Sequence, residues 1–144
     1  MPYSSDHTPR PPPEPPHWFW EAIEKAHGSR ELFRAALASL SREQLIQAYA
    51  YYQDLALVFS SPKYVAHMTP GMSEDGALDV GAWIVSQGRE FFRDVYFHPD
   101  KTPSSPTPGT KEERLMFGDI MRHYLKRFDG EDMPDWEVEY PDEP

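Results

Sequence analysis

The chain has 144 residues, of which 26% are charged and 14% are aromatic, a size and composition typical of one globular domain. It contains no cysteine, which excludes a disulfide framework, a cysteine-ligated zinc site and thiol catalysis. No apolar run approaches the roughly 18 residues of a membrane span, and the N-terminus lacks the apolar core of a signal peptide. We therefore expect a soluble, cytoplasmic protein without a membrane partner.

The net charge of −10 is unevenly distributed. Residues 129–144 carry eight acidic side chains and no basic one, whereas residues 1–128 are close to neutral. Non-specific binding to nucleic acid needs clustered lysine and arginine, so the sequence argues against a nucleic-acid partner. The acidic strip is suited to a basic protein partner, and a solvated tail that keeps the protein soluble explains it equally well.

Proline dominates the first 16 residues, seven of which are proline. Because proline fixes φ and removes a backbone donor, we expect an extended or disordered leader over residues 1–16. The prolines after Arg10 also have the spacing that SH3-type grooves accept, although a plain spacer accounts for them too. The predicted organisation is this leader, a single helical domain over residues 17–134, and an acidic tail over residues 135–144.

Three helices are predicted in the first half of the chain. Apolar residues recur at helical spacing from His17, and Gly28 is a typical helix stop. Ser29 is placed to cap a second, short helix. Ser41 and Gln44 form a capping box, which opens a third helix with an apolar stripe through about five turns.

Two further helices are predicted in the second half. After a segment rich in proline and glycine, Ser73 caps a fourth helix that runs to Pro99 and has Gly88 in its interior. Thr110 and Glu113 form a capping box that opens the last helix. No segment alternates with the period of a strand. The expected fold is all-α, a compact irregular bundle of about five helices with disordered or extended tails at both ends.

Common catalytic signatures are absent from the sequence. There is no Walker phosphate loop, dinucleotide-binding glycine pattern, nucleophile elbow or zinc-protease motif. The histidines are never spaced to place two of them on one helical face as metal ligands. We therefore expect no metal and no cofactor, and we assign no catalytic residue.

Polar side chains are densest along the fourth predicted helix. The candidate ligand-binding or partner-binding residues are Ser73, Glu74, Asp75, Asp79, Gln87 and Arg89. In one interpretation, Asp75 or Asp79 pairs with Arg89 in a polar pocket. In the other, the same residues cap the helix, complement its dipole and form surface ion pairs.

Three residues are assigned structural roles. Trp20 and Trp83 lie in register with apolar neighbours, and we expect Trp83 in the core. A glycine inside a helix costs roughly 1 kcal/mol relative to alanine, so Gly88 indicates close packing of helices.

The segment Met72–Asp100, MSEDGALDVGAWIVSQGREFFRDVYFHPD, resembles the signature of an uncharacterised bacterial family, domain of unknown function 4240. The matching elements are Ser73-Glu74-Asp75-Gly76, Trp83-Ile84-Val85, Gly88-Arg89 and Pro99-Asp100. The resemblance covers roughly residues 17–135 and implies an all-helical domain with no known reaction. The sequence departs from the family pattern at Ala77 and Val80, where aromatic residues are usual, and at Gly81, where a basic residue is usual.

The expected function is a non-enzymatic protein-binding or regulatory module. The acidic tail and the abundance of tyrosine and tryptophan are suited to protein interfaces. A toxin-neutralising protein of the immunity type is one form of such a module. The alternative is a small-molecule sensor or enzyme that uses the polar pocket around Asp75, Asp79 and Arg89.

Overall fold

The computed structural model describes residues 12–26, 29–104, 111–134 and 140, with the backbone alone for 111–117. This part of the chain holds seven α-helices, two short 3-10 turns and no strand, which confirms the all-α class and exceeds the five helices predicted. The helices are α1 (His17–Ala26), α2 (Arg30–Leu37), α3 (Arg42–Leu57), α4 (Pro62–Val65), α5 (Glu74–Ser86), α6 (Arg89–Phe97) and α7 (Lys111–Arg127). None of the helices in the described ranges is both long and apolar enough to cross a bilayer.

Serine residues cap the N-termini of three of these helices, as the sequence predicts. The Ser29 hydroxyl caps α2, and Ser41 forms the full capping box with Gln44, with N···O distances of 3.1 and 3.0 Å. The Ser73 hydroxyl accepts a hydrogen bond from the Gly76 N–H at 3.0 Å at the start of α5. The stop at Gly28 and the capping box at Thr110 lie outside the described residues.

The fourth predicted helix is in fact two helices, which meet at Gly88. The helix α5 ends at Ser86, and Gly88 has φ +101, a conformation that L side chains rarely adopt. The prediction of Gly88 inside a continuous helix is therefore wrong. The glycine provides the change of direction between α5 and α6, and this turn adds one helix to the expected number.

The helices α3 and α5 approach each other closely at Gly81. A Cβ placed on Gly81 would overlap the Ala56 carbonyl oxygen and lie 2.8 Å from the Ala56 carbonyl carbon. Next to this contact, the buried Tyr52 hydroxyl donates to the Ala82 carbonyl at 2.9 Å. The absence of a side chain at Gly81 thus lets two helix backbones pack directly against each other.

Aromatic rings from three segments of the chain meet in the core. Phe92 of α6 contacts Trp20 of α1 and Phe59, with ring centroids 5.6 and 5.4 Å apart. Trp83, which we expected in the core, is only partly buried. Its indole packs edge to face on Phe91 at the margin of the bundle, 5.4 Å between centroids. Helical periodicity places Trp83 beside the buried Ile84 and Val85, but it does not determine how much of each side chain the neighbouring helices cover.

A buried carboxylate connects α2 to α7. The Asp119 side chain is 1% exposed and accepts hydrogen bonds from Arg30 Nε at 2.8 Å and Arg30 Nη2 at 2.6 Å. Arg34 and Arg122 also contact its Oδ1. Burial alone would raise the pKa of Asp119, but the hydrogen bonds and charges of the three arginines outweigh it and hold that pKa below its usual value. We call these four residues the Asp119 cluster.

Two residues of the acidic strip over residues 129–144 contact the bundle. Glu131 pairs with Arg42 at the start of α3. The Tyr140 hydroxyl donates to Asp54 at 3.0 Å, and its ring lies 5.2 Å from that of Tyr51. Tyr140, expected in a free tail, therefore packs against α3, because it offers both an aromatic ring and a hydroxyl donor.

We expect Gly81→Ala to destabilise the protein by about 1–3 kcal/mol or more, because the new methyl group meets backbone that cannot rotate away. The control is Gly76→Ala, whose Cβ would meet side chains rather than backbone, namely the flexible end of Met72 and the Ser73 hydroxyl at 3.2 Å. That change should stay within about 1 kcal/mol of wild type, since alanine favours the helix. Urea unfolding measures both. Equal stability of the two variants would contradict the close contact of α3 and α5.

Asp119→Asn should lower the free energy of unfolding by about 3–5 kcal/mol, because it breaks a buried ion pair. Arg122→Gln removes a partner that is more than half exposed and should cost less than about 1 kcal/mol. Urea unfolding at neutral pH measures the free energy of unfolding of both variants, and the loss should be larger for Asp119→Asn than for Arg122→Gln.

The Asp119 carboxylate also predicts a dependence on pH. Its pKa is lowered by folding, so its stabilisation is present above the unfolded value of about 3.9 and is lost as the pH falls through the folded pKa. Wild type should therefore lose more stability between about pH 4 and pH 2 than Asp119→Asn does. An identical acid loss in both proteins would show that Asp119 is not held ionised by its arginines.

Candidate functional site

The structure distributes the predicted site residues along α5 and the start of α6. Ser73, Glu74 and Asp75 lie at the N-terminus of α5, where the serine caps the helix and the two acidic residues occupy the first turn. Asp79 is partly buried one turn later. Gln87 follows the end of α5, and its amide donates to the Ser86 hydroxyl at 3.2 Å. Ser73, Glu74 and Asp75 thus occupy the positions expected of an N-cap and an acidic first turn.

Asp75 and Arg89 are not brought together. The twelve residues from Asp75 to Gln87 correspond to about 18 Å along a helix axis, so Asp75 lies at the start of α5 and Arg89 lies beyond its other end. A pocket that includes both is therefore not formed. Arg89, at the start of α6, instead turns towards the N-terminal segment of the chain.

Arg89 and three other residues form a second ionic cluster, which we call the Glu14 cluster: Glu14, Trp20, Arg89 and Arg93. The Arg89 Nε lies 2.9 and 3.1 Å from the two Glu14 oxygens, and its Nη2 lies 2.8 Å from Oε1. Arg93, one turn along α6, places Nη1 3.5 Å from the same oxygen. The Trp20 indole N–H donates to Glu14 Oε2 at 3.1 Å. Two guanidinium groups and a neutral donor therefore converge on one carboxylate.

Glu14 belongs to residues 12–16, which we call the N-terminal arm. Pro12 and Pro15 of this arm are buried, and the Phe19 N–H donates to the Pro16 carbonyl at 3.0 Å as α1 begins. The arm has no helical turn, in agreement with the predicted extended leader. The expectation that it lies outside the bundle is wrong for residues 12–16, because its prolines and its single carboxylate contact the domain.

The turn at Gly88 positions Arg89. The Arg89 backbone N–H donates to Glu24 Oε2 at 3.0 Å, so a carboxylate from α1 caps the start of α6. A Cβ on Gly88 would come within 3.3 Å of the Glu24 side chain. Gly88 thus permits the turn, and the turn places Arg89 at the start of α6.

A shallow depression of about 410 Å³ adjoins this cluster on the exposed face of α6. Its lining residues are Arg89, Glu90, Arg93, Asp94, Phe97 and His98. The Arg93 guanidinium lies 5.5 Å from the centre of the exposed Phe97 ring. The lining offers charged groups and one aromatic face. In the described part of the chain, no group of three or more histidine, aspartate or glutamate residues is arranged to hold a metal ion.

The family comparison covers most of the domain. The model of the family described as protein of unknown function (DUF4240) matches residues 17–129. The chain belongs to this family. The predicted resemblance is thereby confirmed, and the matched range contains Trp20, Arg89 and Arg93 but begins after the N-terminal arm. No curated protein and no solved structure matches the chain.

Glu14→Gln should lower the free energy of unfolding by less than about 1 kcal/mol, because the Arg89 side chain is 44% exposed and water screens the pair. Trp20→Ala removes a buried ring and should cost about 3–5 kcal/mol. Urea unfolding measures both, with Glu21→Gln on the exposed face of α1 as the control. A loss at Glu14 as large as that at Trp20 would mean that the arm is essential to the fold.

Proposed function

We propose that the protein is a non-enzymatic binding module. The donors of the Glu14 cluster, Trp20, Arg89 and Arg93, recognise a carboxylate in an extended, proline-flanked segment of a protein partner. The observation that supports this proposal is the binding of the chain's own Glu14 by Trp20, Arg89 and Arg93. In this view the N-terminal arm is an intramolecular occupant of a site that also accepts a segment from another protein.

The donors are suited to a carboxylate. A guanidinium presents a planar fork of N–H groups that matches two carboxylate oxygens, and Arg89 uses it on Glu14. The Trp20 indole is a donor only, so it adds a contact that a cationic ligand would not satisfy. With Arg93 the cluster carries two positive charges for one negative charge, which favours an acidic ligand.

The surroundings are suited to an extended chain. A polyproline helix repeats every three residues, so Pro12 and Pro15 lie on one side of the arm, and both are buried. Grooves that bind such segments use the rigid backbone to reduce the entropic cost of binding. The two prolines and the carboxylate between them therefore define the chemistry of the expected partner segment.

The arm competes with any partner because it is part of the same chain. A tethered segment acts at an effective concentration in the millimolar range, so a free peptide displaces it only at high concentration. Removing the Glu14 carboxylate weakens the occupant while leaving the donors in place. Glu14→Ala in the full chain is therefore the variant in which binding from outside should be measurable.

The test is fluorescence anisotropy with a labelled peptide of the sequence RPPPEPPH, which corresponds to residues 10–17. Glu14→Ala should bind this peptide at least about tenfold more tightly than wild type does, because the tethered competitor is weakened. Glu21→Ala, an exposed acidic position on α1, is the matched control and should behave as wild type.

Two further measurements make the test specific. Adding Arg89→Gln to Glu14→Ala should abolish the gain, and a peptide with glutamine in place of glutamate should bind at least about tenfold more weakly. Equal binding of the two peptides, or no binding to Glu14→Ala, would overturn the proposal.

A further inference from the structure

A tyrosine of the acidic strip occupies a small aromatic site on α1 and α3. The Tyr51 ring of α3 packs edge to face on Trp18 of α1, with 6.3 Å between ring centroids. The Tyr140 ring packs edge to face on Tyr51 at 5.2 Å, and its hydroxyl donates to Asp54 Oδ2 at 3.0 Å. We call Trp18, Tyr51 and Asp54 the Tyr51 site. A ring and a carboxylate of this site thus meet the two ends of one phenol.

The helix α3 places the carboxylate beside the ring. Tyr51 and Asp54 are three positions apart, so they lie on the same side of α3. Between Glu43 and Lys63, Asp54 is the only charged residue in the sequence, and its side chain is exposed. Leu57, three positions further along, is 46% exposed. This side of α3 therefore combines apolar surface with a single charged acceptor.

That combination is selective for the tyrosine side chain. Phenylalanine offers the same ring but has no hydroxyl to donate to Asp54, and an acidic side chain would be repelled by the carboxylate. Burial and the Asp54 charge raise the pKa of Tyr140 above its usual value. The hydroxyl therefore keeps its proton at neutral pH and remains a donor.

The segment that carries Tyr140 has an unfavourable charge for this site. Four acidic residues lie within three positions of Tyr140: Glu137, Glu139, Asp142 and Glu143. Like charges near Asp54 weaken binding, and the chain as a whole has a net charge of −10. Tyr140 binds in spite of these charges because it is part of the same chain, which gives it a high effective concentration. A tyrosine between basic residues has the better chemistry for the Tyr51 site.

We propose that the Tyr51 site binds a tyrosine flanked by basic residues in a segment of a protein partner. Tyr140 holds the site while no partner is bound, and the partner displaces it. The acidic residues that leave with Tyr140 are then suited to the same basic segment. The Tyr51 site shares no residue with the Glu14 cluster, so it does not depend on the function proposed for that cluster.

The test is fluorescence anisotropy with a labelled peptide of the sequence KVKYPKKP at about 0.15 M salt, where charges beyond the contact are largely screened. This peptide is residues 137–144, EVEYPDEP, with lysine in place of each acidic residue. Tyr140→Ala in the full chain should bind it at least about tenfold more tightly than wild type does, because the tethered competitor is weakened. Tyr140→Phe, which keeps the ring and loses the hydroxyl, should fall between the two.

Two comparisons, both made in the Tyr140→Ala background, separate recognition of tyrosine from general attraction of a basic peptide. The peptide KVKFPKKP has the same charge and should bind at least about tenfold more weakly than KVKYPKKP, because it lacks the hydroxyl that bonds to a charged acceptor. Adding Asp54→Ala should reduce this preference to within about twofold. Gln53→Ala, the neighbouring exposed position on α3, is the matched control and should leave the preference unchanged.

Circular dichroism shows that each variant is folded. Three results would contradict the proposal: no binding of KVKYPKKP to Tyr140→Ala, equal binding of the tyrosine and phenylalanine peptides, or a preference that survives in Asp54→Ala. The unchanged peptide EVEYPDEP should bind Tyr140→Ala more weakly than KVKYPKKP does, and equal binding of these two would contradict the assignment of basic flanks to the partner.

Discussion

The direct contact between the backbones of α3 and α5 is the constraint on which the rest of the bundle depends. With no side chain at Gly81, the rotation of α5 about its own axis is fixed against Ala56. That rotation sends Val80 and Ile84 into the core, where both are fully buried. It also sets the side of the bundle on which α5 leads into the turn at Gly88 and the start of α6. The position of the Glu14 cluster therefore follows from a packing contact in the centre of the molecule.

The contact at Gly81 involves a position where this chain departs from the family pattern. Resemblance to the family implies a basic residue at position 81, and this chain has a glycine there. A lysine or arginine side chain has no space between α3 and α5 as they lie here. A basic residue at position 81 would therefore require these two helices to lie further apart or at another angle.

Local features of the fold were predictable from the sequence, and contacts between distant residues were not. The caps at Ser29, Ser41 and Ser73 depend on residues three positions apart, so the sequence displays them directly. Gly88 was ambiguous, since a glycine in an apolar helical pattern is compatible with tight packing and with a helix end. Periodicity gave the side of α5 on which Trp83 lies, but not how deeply that side is covered.

The two ionic clusters illustrate the same limit for the candidate site. Glu14 and Arg89 are 75 positions apart, and Arg30 and Asp119 are 89 positions apart. No local pattern links such residues, and only the fold brings them together. Glu14, a carboxylate within the proline run of residues 11–16, was the one available signal, because proline disfavours regular structure and leaves that charge to be satisfied elsewhere.

The position of the N-terminal arm has a practical consequence for work on the family. Trimming a chain to its family match is common practice, and here the match begins at His17. Such a shortened protein would keep every helix yet lose the carboxylate shared by Arg89 and Arg93 and the two prolines that shield apolar surface. Binding that the shortened protein shows in a screen would then include contacts of the surface that Pro12 and Pro15 cover in the full chain.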